Sequence, residues 1–208
     1  MDKFAQARAN MVTNQIMTNQ VVQPAILDAM MKLPRHEFVD SQWQEVAYFD
    51  GRIPLGEGRF MLAPEIFARM VQALKLHSQD KVLDVGCGTG YSTAVLAHLV
   101  KEVVAVESQS VLAVKAANIL PRMQINNISV KTAELFSGAP EISSYDAIMV
   151  NGKVDKAPVS LLNQLAEGGR LVCIEQDDRD LSKAVLYQKF NDSIGRTVLF
   201  DAFADRLL

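Results

Sequence analysis

Two kinds of hydrophobic pattern divide the chain. Phe4, Ala7, Met11, Val12 and Ile16 recur at helical spacing, and Ile26, Leu27, Met30 and Met31 repeat it after Pro24. Residues 1 to 34 therefore read as two short helices, the second opened by Pro24 and closed by Pro34. Residues 35 to 63 show no period and hold Pro54 and glycines 51, 56 and 58, so they read as irregular. Pro64 opens a further helix with Ile66, Phe67, Met70, Val71 and Leu74 on one face. From Lys81 the pattern alternates. Apolar strands are expected at 81–85, 102–106, 128–132, 147–150 and 170–174. Helices are expected at 92–99, 110–120 and 159–166, the last stopped by Gly168-Gly169. Segments 184–187 and 198–203 read as a terminal strand pair. Strand and helix in alternation predict an α/β fold, a doubly wound and mostly parallel sheet covered on both faces, with an N-terminal helical extension. Right-handed crossovers bring the loops after the strands to one sheet edge, where ligands of such folds bind.

The sharpest local signal is Asp84-Val85-Gly86-Cys87-Gly88-Thr89-Gly90, a strand running through a glycine turn into a helix. Glycines allow positive φ and close approach of a ligand to the backbone. The dinucleotide fingerprint is G-x-G-x-x-G, whereas here the third glycine comes one residue early. Asp84 would also repel a pyrophosphate and suits a cationic ligand. Glu107 ends the next strand, where a carboxylate can accept both hydrogen bonds of a ribose diol. The pattern favours a nucleoside carrying positive charge over a dinucleotide.

Composition narrows the class. The 208 residues are 49% hydrophobic with a net charge of −3, enough for one well-packed domain and no electrostatic case for nucleic-acid binding. No apolar run is long enough to span a membrane, and MDKFAQARAN lacks the apolar stretch of a secretory signal. Cys87 and Cys173 form neither a disulfide framework nor a metal spacing, which points to the cytoplasm. His36, His77 and His98 are scattered and read as structural or surface residues, with no metal site expected. No G-x-S-x-G elbow or P-loop occurs. Cys87 at a helix start is either an acidified thiol or simply a small side chain that fits. Trp43, Tyr48 and Phe49 line a cleft or pack the core, with core packing the default, and Asp177-Asp178-Arg179-Asp180 reads as a solvated turn.

The glycine turn with its two acids resembles the class I S-adenosylmethionine-dependent methyltransferases, over about residues 80 to 203. A narrower resemblance covers nearly the whole chain. Leu27-Asp28-Ala29-Met30, Pro34-Arg35-His36-Glu37-Phe38-Val39, Ala47-Tyr48-Phe49-Asp50 and Ile53-Pro54-Leu55-Gly56 are similar to the N-terminal part of the protein-L-isoaspartate O-methyltransferases. So are Gly138-Ala139-Pro140-Glu141, Tyr145-Asp146-Ala147-Ile148 and Gly168-Gly169-Arg170-Leu171-Val172 further on. The resemblance implies a Rossmann-like single domain over 1–208, with 1–63 giving the N-terminal helices and substrate loop and 64–208 the cofactor-binding core. It implies S-adenosylmethionine as cofactor, held by Asp84, Gly86, Gly88 and Gly90, with Glu107 on the ribose and Glu134 and Leu135 near the adenine. It also implies methylation of isoaspartyl carboxylates in damaged proteins, and a monomer; the charge balance and the apolar runs add the expectation of no nucleic-acid or membrane partner.

Departures from the family fall on one loop. The family reads roughly G-x-G-Q-T-I-S-Q-P before the helix at Pro64; here the stretch is Gly56-Glu57-Gly58-Arg59-Phe60-Met61-Leu62-Ala63-Pro64. Leu62 stands at the family's serine, Phe60 at its threonine, and Arg59 and Ala63 at its glutamines. Arg59 reads as a solvated loop charge or as a replacement anion donor. Ala133-Glu134-Leu135 stands in place of G-D-G, and Asn151-Gly152-Lys153 in place of a run of small residues. The chain also ends at Leu208, short of the family's usual tail. No catalytic base is named, because an acceptor carboxylate is ionised at neutral pH and needs only positioning and desolvation. The apolar loop leaves two alternatives: a different small acceptor, or cofactor binding without repair activity.

Overall fold

The computed structural model describes residues 2–176, 181–191 and 193–207; the Asp177–Asp180 run lies outside them. Its strands are β1 (Ile53–Gly56), β2 (Arg59–Met61), β3 (Lys81–Val85), β4 (Glu102–Glu107), β5 (Ile128–Thr132), β6 (Tyr145–Val154), β7 (Leu165–Gln176), β8 (Ser182–Phe190) and β9 (Ser193–Asp201). The helices are α1 (Lys3–Met11), α2 (Pro24–Lys32), α3 (Pro64–Ala73), α4 (Tyr91–Ala97), α5 (Ser110–Arg122) and the short α6 (Val159–Leu162). One seven-stranded sheet runs β5-β4-β3-β6-β7-β8-β9. The pairs from β5 to β7 are parallel, and β7–β8 and β8–β9 are antiparallel. This is the doubly wound sheet with a terminal antiparallel pair that the alternation predicts.

The central strands are apolar on both faces because both are covered. Val82, Val103, Ala147, Met149, Val172 and Ile174 meet the layer built by α1 to α4, while Leu83, Val104, Val106, Ile148, Val150 and Cys173 meet the other layer around Leu135, Leu161 and Leu165. α3 follows its amphipathic pattern, with Pro64 in its first turn and Ile66, Phe67, Met70 and Val71 buried. α1 continues through a wider turn at Val12–Ile16 and a 3₁₀ turn to Asn19, and stops at Gln20, whose φ is +64°. The five residues assigned to its inner face carry that contact, with Met11, Val12 and Ile16 fully buried.

Two readings are corrected. Residues 35–63 are not irregular throughout: 3₁₀ turns occupy Arg35–Phe38 and Ser41–Val46, and β1 and β2 form a hairpin. Its strands are too short to show a period of two. The helix expected at 159–166 ends at Leu162 because Leu165 already pairs with Tyr145 at the start of β7.

Arg35 joins the N-terminal layer to this hairpin. It is fully buried; Nε donates to the Ala47 carbonyl at 2.8 Å and Nη2 to the Leu62 carbonyl at 2.7 Å. Its guanidinium lies 4.7 Å from the Tyr91 ring centroid, a cation–π contact.

His36 is structural. It stacks on Phe4 at 3.9 Å, and its Nδ1 lies 2.7 Å from the Tyr48 hydroxyl. The same hydroxyl accepts from Arg8 Nη1 at 3.5 Å, so Tyr48 links the two side chains. Burial lowers the His36 pKa below its ordinary value. The stability due to neutral His36 should therefore be present above about pH 6.5 and be lost as pH falls through the lowered folded value. Thermal melts between pH 7.5 and 5 should show a decline that His36→Gln reduces; an unchanged slope in that variant would count against the assignment.

Candidate active site

The strand order reverses between β3 and β6, and the crevice at their carboxyl ends is the ligand position of this architecture. Gly86, Gly88 and Gly90 follow β3 with φ of +71°, +56° and +97°, a backbone that L side chains rarely adopt. At Gly90 a Cβ would lie 3.2 Å from Ala116 and Leu120, so this glycine lets α4 pack against α5. Asp84 is fully buried beneath the turn. Its Oδ2 accepts from Ser92 Oγ at 2.7 Å and Thr93 Oγ1 at 2.6 Å, and its Oδ1 accepts from Asn151 Nδ2 at 2.6 Å. Burial pushes its carboxyl above the ordinary range while these three donors pull it back. Asp84 thus ties β3, α4 and β6 together.

Glu107 ends β4, also fully buried. Its Oε2 accepts from the Gly88 N–H at 2.9 Å, and its Oε1 from the Gln109 N–H at 3.0 Å. The same Oε1 is 3.1 Å from Arg59 Nε. Arg59 is therefore not a solvated charge. It is 7% exposed, and it also donates to the Leu207 carbonyl at 2.6 Å and to Ser108 Oγ at 2.8 Å. Phe60 is half-buried, and Met61 and Leu62 are buried. With Leu55 and Phe67 they wall one side of a cavity whose other side is Gly86, Cys87, Thr89, Tyr91, Ser92 and Asn151. Glu134 lies exposed after β5, whereas the Leu135 side chain is fully buried in the core and offers a ligand no side-chain surface.

The acidified-thiol reading of Cys87 is corrected: burial, with Asp84 and Glu107 nearby, holds its thiol well above the ordinary value. Tyr48 is buried and Trp43 packs against the core, while Phe49 is exposed. Among the residues that the sequence did not single out are Leu207 and Ser108, and Ser92, Thr93 and Asn151 as donors to Asp84. Leu207 carries no chemical signal, and only its position beside Gly86 gives it meaning.

The family model for protein-L-isoaspartate(D-aspartate) O-methyltransferase matches residues 6–200. The chain belongs to this family. Protein-L-isoaspartate O-methyltransferase 1 of Syntrophobacter fumaroxidans is 38% identical over 199 residues, covering 96% of this chain and 92% of its own. The enzyme of that name from a Synechococcus species is 40% identical over 171 residues, covering 82% and 70%. A solved protein-L-isoaspartate O-methyltransferase superposes with a TM-score of 0.85 at 25% identity, over 96% of this chain and 65% of that one. A Plasmodium falciparum structure solved with S-adenosyl-L-homocysteine superposes at 0.81 over 100% and 99% of the two chains; at 20% identity it speaks to the fold. The chain is an O-methyltransferase by family, and S-adenosylmethionine is the methyl donor that goes with it.

The donor set suits that cofactor. A carboxylate stands at the end of β4, and a turn of three positive-φ glycines stands after β3. The space is another matter. The cavity measures about 20 Å³, room for one water, against about 300 Å³ or more for a small-molecule pocket. Leu207 and Leu55 fill what the glycines leave open: a Cβ at Gly86 would lie 2.8 Å from Leu207, and one at Gly88 would lie 2.6 Å from Leu55.

Proposed function

We propose that this chain transfers a methyl group from S-adenosylmethionine to the carboxylate of isoaspartyl residues in proteins. The observation that carries the reading is the match over residues 6–200 together with a glycine turn and Glu107 at the switch point of the sheet. Glu107 serves as acceptor for the ribose hydroxyls, and the Gly86–Gly90 backbone lies along the rest of the donor. Asp84 does not touch the donor; it fixes the turn. Glu134 is left for the adenine end, and Leu135 only packs. The bound cofactor supplies an electrophilic methyl group on a sulfonium. The chain's own part is to hold the acceptor carboxylate in line and strip it of water, and no base is needed because that carboxylate is already ionised. Phe60, Met61 and Leu62 provide the dry wall of this space.

That wall also favours a second reading, an acceptor less polar than an isoaspartyl peptide. The deciding experiment offers labelled S-adenosylmethionine with an isoaspartyl peptide, its aspartyl twin and a panel of small carboxylic acids. Transfer to the isoaspartyl peptide alone is expected. Leu62→Ser should raise kcat/KM by about ten- to a hundredfold, the worth of one hydrogen bond to a charged group, about 1.5–3 kcal/mol. Transfer to a small acid and to neither peptide would overturn the isoaspartyl reading in favour of the second.

A further inference from the structure

The segment after β9 does not trail off the sheet. Ala202 and Ala204 are buried, and the Ala202 N–H donates to the Ser182 carbonyl at 3.0 Å. The chain then crosses to the end of β6. Lys153 N–H donates to the Asp205 carbonyl at 2.8 Å, Leu207 N–H donates to the Lys153 carbonyl at 2.9 Å, and Lys153 and Arg206 face each other as a parallel bridge. Ion pairs hold both flanks: Arg52 with Asp205 at 2.8 Å, and Arg206 with Asp155. Arg52 also lies 5.0 Å from the ring centroids of both Phe60 and Phe203. This pairing delivers the Leu207 side chain, 3% exposed, against Gly86 and Gly152. Arg59 completes the closure, one nitrogen on the Leu207 carbonyl and another on Glu107.

Each part meets a group that the cofactor would need. Leu207 covers the first glycine of the turn, and Arg59 occupies Oε1 of Glu107, the carboxylate assigned to the ribose. We infer that residues 204–207 and Arg59 form a strap that closes the cofactor cleft, so that S-adenosylmethionine enters only when the strap leaves. The inference rests on reading the cleft as the S-adenosylmethionine site. It adds that the chain competes with its own cofactor, through a surrogate cation on Glu107 and a surrogate apolar group on the glycines. The strap is held by the Leu207 side chain, two backbone hydrogen bonds to Lys153, the buried Arg59 contacts with Glu107 and the Leu207 carbonyl, and two more open ion pairs, a set that a tight-binding ligand outcompetes at a cost in affinity.

The test titrates S-adenosylhomocysteine calorimetrically into the full chain, into Leu207→Gly, and into a Lys153→Cys/Arg206→Cys pair. Bridge partners stand within disulfide reach, so oxidation staples the strap shut. Leu207→Gly is expected to bind at least tenfold tighter than the wild type, the worth of a buried leucine side chain. The oxidised staple is expected to lose binding and a reductant to restore it. Amide exchange supplies a readout independent of activity: the Leu207 N–H, protected without ligand, should exchange freely at saturation. Equal affinity in wild type and Leu207→Gly, equal affinity in the oxidised and reduced staple, or no binding by any form would each overturn the strap. An opened variant that binds the ligand but methylates no isoaspartyl peptide would count against the acceptor, not against the strap.

Discussion

Glu107→Ala should destabilise the protein by about 3–5 kcal/mol, the cost of leaving a buried charge without its partner. For a chain of 208 residues this lowers the melting temperature by on the order of 10 °C. Glu107 accepts from the N–H groups of Gly88 and Gln109 and from Arg59, so its loss strands two backbone donors and a guanidinium at once. The pair invites a double-mutant cycle. Arg59→Leu/Glu107→Ala removes the stranded cation and should recover at least about 1.5 kcal/mol of the single-variant loss, since apolar replacement of a buried pair is often neutral. Urea denaturation followed by circular dichroism reads both values. A loss below about 1 kcal/mol for Glu107→Ala, or strict additivity in the double variant, would show that the contact carries little weight.

Asp84→Ala should cost a similar amount, about 3–5 kcal/mol, for a different reason. Among the described residues no cation pairs with Asp84; three side-chain donors converge on it from α4 and β6. Removing the carboxylate leaves Ser92, Thr93 and Asn151 turned toward an apolar gap beneath the glycine turn. Asp84→Asn keeps the shape and one acceptor oxygen, and its expected cost is smaller, about 1–3 kcal/mol. Equal costs for the two substitutions would mean that the shape, not the hydrogen bonds, is what Asp84 contributes.

How much of this was legible in the sequence depended on range. β3 falls on residues 81–85 as its apolar run predicts, because a short strand buried in a sheet is written in its own residues; β5, half-buried at the sheet edge, also falls on the expected 128–132. The glycine turn and Glu107 were legible for the same reason: each is a local word at the end of a strand. The β1–β2 hairpin was not, since strands of four and three residues carry too little pattern. Nor was the burial of Arg59, whose partner is 48 residues away and whose charge favours a solvated reading until the partner is known. Asp84 was assigned to the ligand because an acid before a glycine turn has that meaning in a strand-turn-helix unit. Its donors at 92, 93 and 151 turn it into a cross-brace, and Asn151 joins it only through the pairing of β3 with β6. Leu207 was silent altogether, because an apolar side chain gains its role solely from what it lies against.

Arg35 has a mechanical consequence. Its two donated hydrogen bonds clamp the backbone at Ala47 to the backbone at Leu62, fifteen positions apart, from a place fully shielded from water. Swinging the Leu62 end of the hairpin outward alone would tear one of those bonds and expose the cation that makes it. The cheaper movement keeps the clamp whole and carries the two backbones as one plate. Access from that side is then a matter of how the helical layer rides on the sheet, with a single arginine setting which parts travel together.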